Sequence, residues 1–291
     1  MKPKTNQLRM SSCSITAIVL PLLFFGLLGV AKKEPKLKPE QLVNLHLKSI
    51  GLIDGQTARK SCEADGQGVL NILRGGGGTL QGPAKFLSNG HKLRMSILFN
   101  RPDYPAEEVS FDGDEVDVGQ VSPGRRSPLG EFIYSFDEIV TEGLFGGVLS
   151  SGWSLLEVAE REAKLRYEGL KKVDDVHYHT LRYRPRKRSD LEIRLYFAPD
   201  TYRHVMTIYK VRIEPFAGRT IDERALQAVV RYDVREYFGE FQEVGDLTLP
   251  AQWVVDFTRE MGTTITMLRW TMNFESIQSD TELDPSYFRL H

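Results

Sequence analysis

Between Val176 and Pro215 the chain reads VHYHTLRYR, PRKRSD, LEIRLYF, APDT and YRHVMTIYKVRIEP. Three runs rich in β-branched and aromatic residues, separated by segments holding Pro, Asp and Ser, predict three consecutive strands of an antiparallel meander. Successive side chains of a strand point to opposite faces. His177, His179, Leu181 and Tyr183 therefore share one face of the first strand, and Leu191, Ile193, Leu195 and Phe197 one face of the second. Arg182, Arg184, Glu192 and Arg194 fall on the other side. A sheet that is apolar on one side only must lay that side against something apolar. What covers it becomes the question about function.

The period of two extends in both directions. Gly66–Arg74, Thr79–Ser88, Lys92–Asn100 and Glu107–Phe111 read as four strands, with Val116 and Val118 pairing back as a fifth. Gly75–Gly78, Asn89-Gly90 and Asp112-Gly113 supply the turns between them. After the meander, Leu226–Glu236 gives another strand and Phe238–Gly245 a turn-rich link. Two more strands follow: Leu249–Thr258, with Trp253, Val255 and Phe257 on one face, and Thr264–Phe274, with Leu268, Trp270, Met272 and Phe274 on one face. Ahead of the first strand, Lys36–Gly51 is a helical pattern. Leu42, Leu45, His46 and Ser49 recur at helical spacing, Val43, Leu47 and Ile50 widen the stripe, Pro39 and Glu40 suit the first turn, and Gly51 suits the C-cap.

From Ser127 to Leu170 the pattern breaks. Apolar residues fall at helical spacing, and Gly143, Gly146, Gly147 and Gly152 cut the segment into short pieces. Packed core helices gain nothing from such breaks, whereas a movable cover does. The expected fold is therefore α+β: a curved antiparallel sheet of about ten strands in meander order, a half-barrel, with an N-terminal helix and an inserted helical lid on its concave face. With no internal repeat and no low-complexity linker, residues 32–291 read as a single domain. An apolar cavity between sheet and lid Ser127–Leu156 is expected, lined by Leu129, Phe132, Phe136, Leu144, Phe145, Trp153, Leu195, Phe197, Trp253 and Trp270.

Residues 1–31 read as an export signal. Lys2, Lys4 and Arg9 precede the apolar run Ile15–Val30, and Gly29-Val30-Ala31 places small residues at the cleavage point. An uncleaved membrane anchor is the alternative, since Lys32, Lys33, Lys36 and Lys38 follow directly. Cleavage removes Cys13 and leaves Cys62 alone, so no internal disulfide forms. Export without disulfides suggests a bacterial envelope protein, periplasmic if the signal is cleaved. The net charge of −1 argues against nucleic acid as a partner.

Motifs of the kinds that carry chemistry elsewhere have simpler explanations here. His177 and His179, with His204, suggest a metal, but their face continues as Leu181 and Tyr183 without an acidic or Cys ligand. Gly75–Gly78 lacks the Lys-Ser or Lys-Thr pair and the helix start of a phosphate loop. Asp112, Asp114, Glu115 and Asp117 do not match a twelve-residue calcium loop. Ser150-Ser151 lacks a Gly-x-Ser-x-Gly turn and an assignable Asp-His partner. No enzyme, metal or cofactor is expected. The basic run Arg184–Arg188, like Arg125-Arg126, reads either as a solvated turn or as a contact for anionic headgroups or an acidic partner.

The phrases VSFDGDEVDVG (Val109–Gly119), LYFAPDTYRHV (Leu195–Val205), LTLPAQWVVDF (Leu247–Phe257) and the closing NFESIQSDTELDPSYF resemble the LolA/LolB-like carriers of the bacterial periplasm. The order of helix, curved antiparallel sheet and short apolar helices inserted before the later strands is similar to theirs as well. The resemblance implies a half-barrel that shields the acyl chains of a lipoprotein or another lipid in transit. Leaving such a chain in water costs about 0.8 kcal/mol per CH₂. A second reading is an interaction module that binds an apolar segment of an envelope protein in the same groove. An uncharacterised hydrolase is a distant third.

Overall fold

A computed structural model describes residues 37–52, 60–187, 189–214 and 228–290. The expected signal or anchor at residues 1–31 lies outside these, as does the start of the Leu226–Glu236 strand. Helix α1 (Pro39–Ser49) leads into β1 (Ser61–Arg74), β2 (Gly78–Asn89), β3 (Lys92–Leu98), β4 (Ala106–Phe111) and β5 (Val116–Val118). A small hairpin, β6 (Gln120–Ser122) and β7 (Arg125–Arg126), precedes α2 (Pro128–Ser135), α3 (Glu138–Thr141) and a 3-10 turn at Gly147–Leu149. Seven further strands follow: β8 (Lys164–Val173), β9 (Val176–Arg184), β10 (Glu192–Phe197), β11 (His204–Ile213), β12 (Val230–Val244), β13 (Leu247–Met261) and β14 (Thr264–Ser279).

Twelve of these strands form one curved, unclosed antiparallel sheet in the order β5-β4-β3-β2-β1-β14-β13-β12-β11-β10-β9-β8. The α+β class expected from the sequence is the one observed. A single run of meander order is not. β1 pairs along its whole length with β14, Leu70 opposite Trp270 and Gly68 opposite Met272, so two meanders are joined through the first and last strands. This pairing puts β5 and β8 at opposite edges of the sheet although only the β6–β7 hairpin and the lid separate them in sequence. The chain between them must cross the sheet from edge to edge. Crossing on the concave side buries the apolar lid and the apolar sheet face together, and this is the arrangement found: Leu129, Phe132, Ile139, Leu144, Phe145 and Trp153 share one core with Leu195, Trp253, Val255 and Trp270.

Two boundaries differ from expectation. The helical pattern ends well before Leu170, because Lys164–Val173 is strand β8. Its Leu165 and Tyr167 face the core in register with Tyr183 and Leu181, and a bulge between Tyr167 and Gly169 breaks the alternation beyond. Phe238–Gly245 is not a turn-rich link. β12 runs through it to Val244 in unchanged register with β13, Gly239 opposite Gln252 and Phe241 opposite Pro250, and Glu240 between them takes the left-handed region (φ 49°). The turn itself is Gly245-Asp246. α1 packs Leu42, Val43 and His46 into the core, and its C-terminal end is tied to that turn by Thr248 N–H donating to the Ile50 carbonyl at 3.1 Å.

Candidate functional site

The lid begins at Ser127, whose side chain has two partners. Its oxygen caps α2 by accepting from Gly130 N–H at 2.8 Å, and its O–H donates to the Glu107 carboxylate at 2.5 Å. Tyr104 O–H donates to the other oxygen of Glu107. Glu107 sits on the inward face of β4, and only 2% of it is exposed. Near its middle the lid is held in a similar way. Gly146 N–H donates to Glu236 at 2.8 Å, and Tyr209 O–H donates to the other oxygen at 2.6 Å. Glu236 is fully buried on β12. Burial pushes each of these carboxyls up to about 7, against the pull of the donors around it.

Glycine is required where the lid meets Glu236. Gly146 and Gly147 both take positive φ, at 78° and 51°. A Cβ on Gly146 would lie 2.8 Å from the Phe86 ring, and one on Gly147 would lie 2.8 Å from Phe238. The two glycines let the backbone descend onto the sheet and turn one N–H into it. Around that point Phe145 packs edge-on against Trp253 with centroids 4.8 Å apart, and Trp153 stacks on His204 at 4.8 Å.

Other polar contacts along the seam are equally specific. Trp153 Nε1–H donates to His46 Nε2 at 3.1 Å, which leaves the proton of a neutral His46 on Nδ1, 3.2 Å from the Tyr202 carbonyl it can donate to. Burial pushes His46 down to about 4, in agreement with that neutral form. Tyr183 O–H donates to Glu142 at 2.6 Å, Ser189 O–H donates to Glu138, and Ser151 N–H donates to Ser88 Oγ at 2.9 Å. Arg161 braces the lid from within through the Thr141 and Gly152 carbonyls.

All ten residues expected to line a cavity come together, nine of them buried and Phe136 partly so. They meet as packed core. Phe132 lies between Phe136, Tyr232 and Phe257, and Phe257 stands edge-on to Trp270. The space expected to be open is filled by lid side chains. Where the seam does part, a pocket of about 20 Å³ lies among Ile50, Leu52, Val148, Trp153, Leu156 and Leu249, with room for about one water molecule. The structure is that of a seated lid.

The remaining motifs fall elsewhere. His177 is exposed on β9, His179 contacts Tyr167 O–H at 2.8 Å and stacks on Tyr202, and His204 lies beneath Trp153. Among the described residues no cluster of His, Cys, Asp or Glu has the geometry to hold a metal. Gly75–Gly78 spans the turn from β1 to β2, and Asp112 accepts from the backbone of Asp114 and Glu115. Ser151 bonds to Ser88 and the Gly90 carbonyl rather than to a base. Sequence reasoning missed Glu107 and Glu236. The signal was there: Glu107-Val109-Phe111 and Val234-Glu236-Phe238 each place an acid at an inward position of an alternating strand.

No protein-family model and no curated protein matches the sequence. Among solved structures the chain is similar to a LolA superfamily protein from Nitrosomonas europaea, with 9% identity over 87% of this chain and 98% of that one and a TM-score of 0.46. It is also similar to a domain of the outer membrane lipoprotein-sorting type from Vibrio parahaemolyticus, with 12% identity, 86% and 97% coverage and a TM-score of 0.44. The MucA/MucB complex of Pseudomonas aeruginosa matches at 10% identity, 83% and 99% coverage and a TM-score of 0.20.

Proposed function

We propose that this chain is a non-enzymatic carrier or sensor of the bacterial envelope, which takes up the acyl chain of a lipid or lipoprotein between the concave sheet face and the lid. The observation that carries this reading is the lid itself: a glycine-broken apolar connection crosses the sheet from edge to edge and is held by a few discrete hydrogen bonds to buried side chains. Apolar lid side chains fill the site when no ligand is present, so the concave face is never opened to water. An acyl chain replaces them one contact for another, at about 0.8 kcal/mol per methylene removed from water. Against this gain stands the loss of the Ser127–Glu107 and Gly146–Glu236 bonds, each costing about 1–3 kcal/mol if left unmet. The balance favours long chains over short ones.

An envelope location accords with the basic, apolar and small-residue order of residues 1–31. Among the described residues no helix is long and apolar enough to cross a membrane. Native mass spectrometry of the purified protein, followed by lipid extraction, tests the proposal. The expected result is co-purifying acyl species, lost in Phe132→Asp and Phe145→Asp variants that remain folded by circular dichroism. A bare protein that binds no fluorescent fatty acid would overturn it, and capture of an apolar peptide in its place would assign the groove to a protein partner.

A further inference from the structure

Across the outer face of the sheet's β8 edge, like charges stand directly opposite one another. Lys164 is in register with Arg184, and Arg166 with Arg182. Their neighbours in sequence, Leu165, Leu181 and Tyr183, point into the core, so the four cations project outward together. Directly opposite side chains of an antiparallel pair have Cβ atoms about 5 Å apart, and like charges there are unfavourable. Among the described residues none of the four has an acidic partner. One strand further in, Arg194 is neutralised by Glu168 at 2.9 Å and Glu192 at 2.7 Å. This face thus pairs Arg194 with two acids and, among the described residues, leaves the block of four without an ion pair.

The charge is concentrated as well as unpaired. Residues 164–194 contain ten Lys and Arg against five Asp and Glu, a net +5 in a chain whose total is −1. Lys164, Arg182 and Arg184 of the block line a cleft of about 490 Å³, which also takes Arg186 and Lys187 and the acids Asp190 and Glu192.

We propose that this face docks on an anionic phospholipid surface. A specific protein partner needs an aromatic or aliphatic anchor at the centre of its contact, and the block offers none, because its four outward positions are all cations. A phosphate-bearing membrane surface needs no anchor and no register, and it attracts each Lys or Arg near it by about 1 kcal/mol, a factor of about five in partition. Docking here is independent of the lid and does not require that an acyl chain be bound.

Lys36–His291 holds the entire sheet and lid as one compact unit, so it can be tested without the apolar N-terminal segment. The experiment is flotation with vesicles of phosphatidylcholine containing about 30% phosphatidylglycerol, against pure phosphatidylcholine, at about 0.05 M and 0.5 M salt. Binding is expected only with the anionic vesicles at low salt, and it should fall by about 100-fold or more when Lys164, Arg166, Arg182 and Arg184 are all changed to Ala. The variant Arg166→Lys, Arg182→Lys, Arg184→Lys should bind as wild type does, since a charged surface reads charge and not guanidinium geometry. Wild-type protein that ignores vesicle charge or salt overturns the proposal with no mutant needed. So does loss of binding in the Lys variant, which would indicate a shaped anion pocket, or survival of binding in the Ala variant.

Discussion

Gly146 on the lid and Glu236 on β12 are joined by a 2.8 Å hydrogen bond from a backbone N–H to a fully buried carboxyl. No other part of the lid places its backbone on a buried acid of the sheet, among the described residues, and Tyr209 shares that acid. Changing Glu236→Ala strands two buried donors and is expected to cost about 3 kcal/mol, whereas Glu236→Gln keeps the volume and one acceptor and should cost about 1 kcal/mol. Urea denaturation of both variants at about pH 4, below the window in which Glu236 titrates, checks the order. Equal costs would mean that packing, not the hydrogen bonds, holds the lid.

Glycine's role differs between lid and hairpin. Gly146→Ala must hold a φ of 78° and place a methyl 2.8 Å from Phe86, so a loss of about 2–4 kcal/mol is expected. Gly77→Ala has open space around it and should change stability by less than about 0.5 kcal/mol. Melting curves of the two variants give the comparison.

Burial raises Glu107 and Glu236 to about 7 from 4.5. Between those values the folded state keeps protons that the unfolded chain has released, so each contribution is complete below about pH 4.5 and lost as the pH rises to about 7. His46, pushed down to about 4 from 6.5, runs the opposite way, and its contribution is lost as the pH falls through that window. Burial and the nearby His46 push His204 well down, in the same direction. The opposed trends flatten the wild-type profile. The difference between wild type and Glu236→Gln isolates one group, and the variant should gain on wild type between about pH 5 and 7.5 by up to roughly 3 kcal/mol. Parallel stability profiles would contradict the assignment.

Ser127→Ala removes the α2 cap and the donor to Glu107 together. A loss of about 2 kcal/mol is expected from the two effects, along with faster amide exchange through α2. Ser127→Thr keeps the hydroxyl and should restore both.

Much of this fold could be read from alternation alone, because Trp253, Val255 and Phe257, or Leu268, Trp270 and Met272, leave little choice of face. The lid was legible for a different reason: glycines interrupt an apolar helical pattern where a core would not tolerate them. β8 was not legible, since Leu165 and Tyr167 stand among Lys164, Arg166 and Glu168, and the bulge at Gly169 shifts the period. Nor was the β1–β14 ladder, which joins residues about two hundred positions apart and leaves no local mark. The ten residues expected to line a cavity gather in one core because they are apolar. Glu107 and Glu236 are less legible, because each is an acid at an inward position of a strand whose face is marked by its apolar residues. The result was a cavity expected open and found filled.

Hydrogen–deuterium exchange with and without a long-chain fatty acid tests the central claim most directly. If an acyl chain displaces the lid, amides of Gly143–Ser154, Gly146 foremost, lose protection on saturable binding while β13 and β14 keep theirs. Saturable binding that leaves the lid's protection unchanged, or no binding at all, would contradict the account.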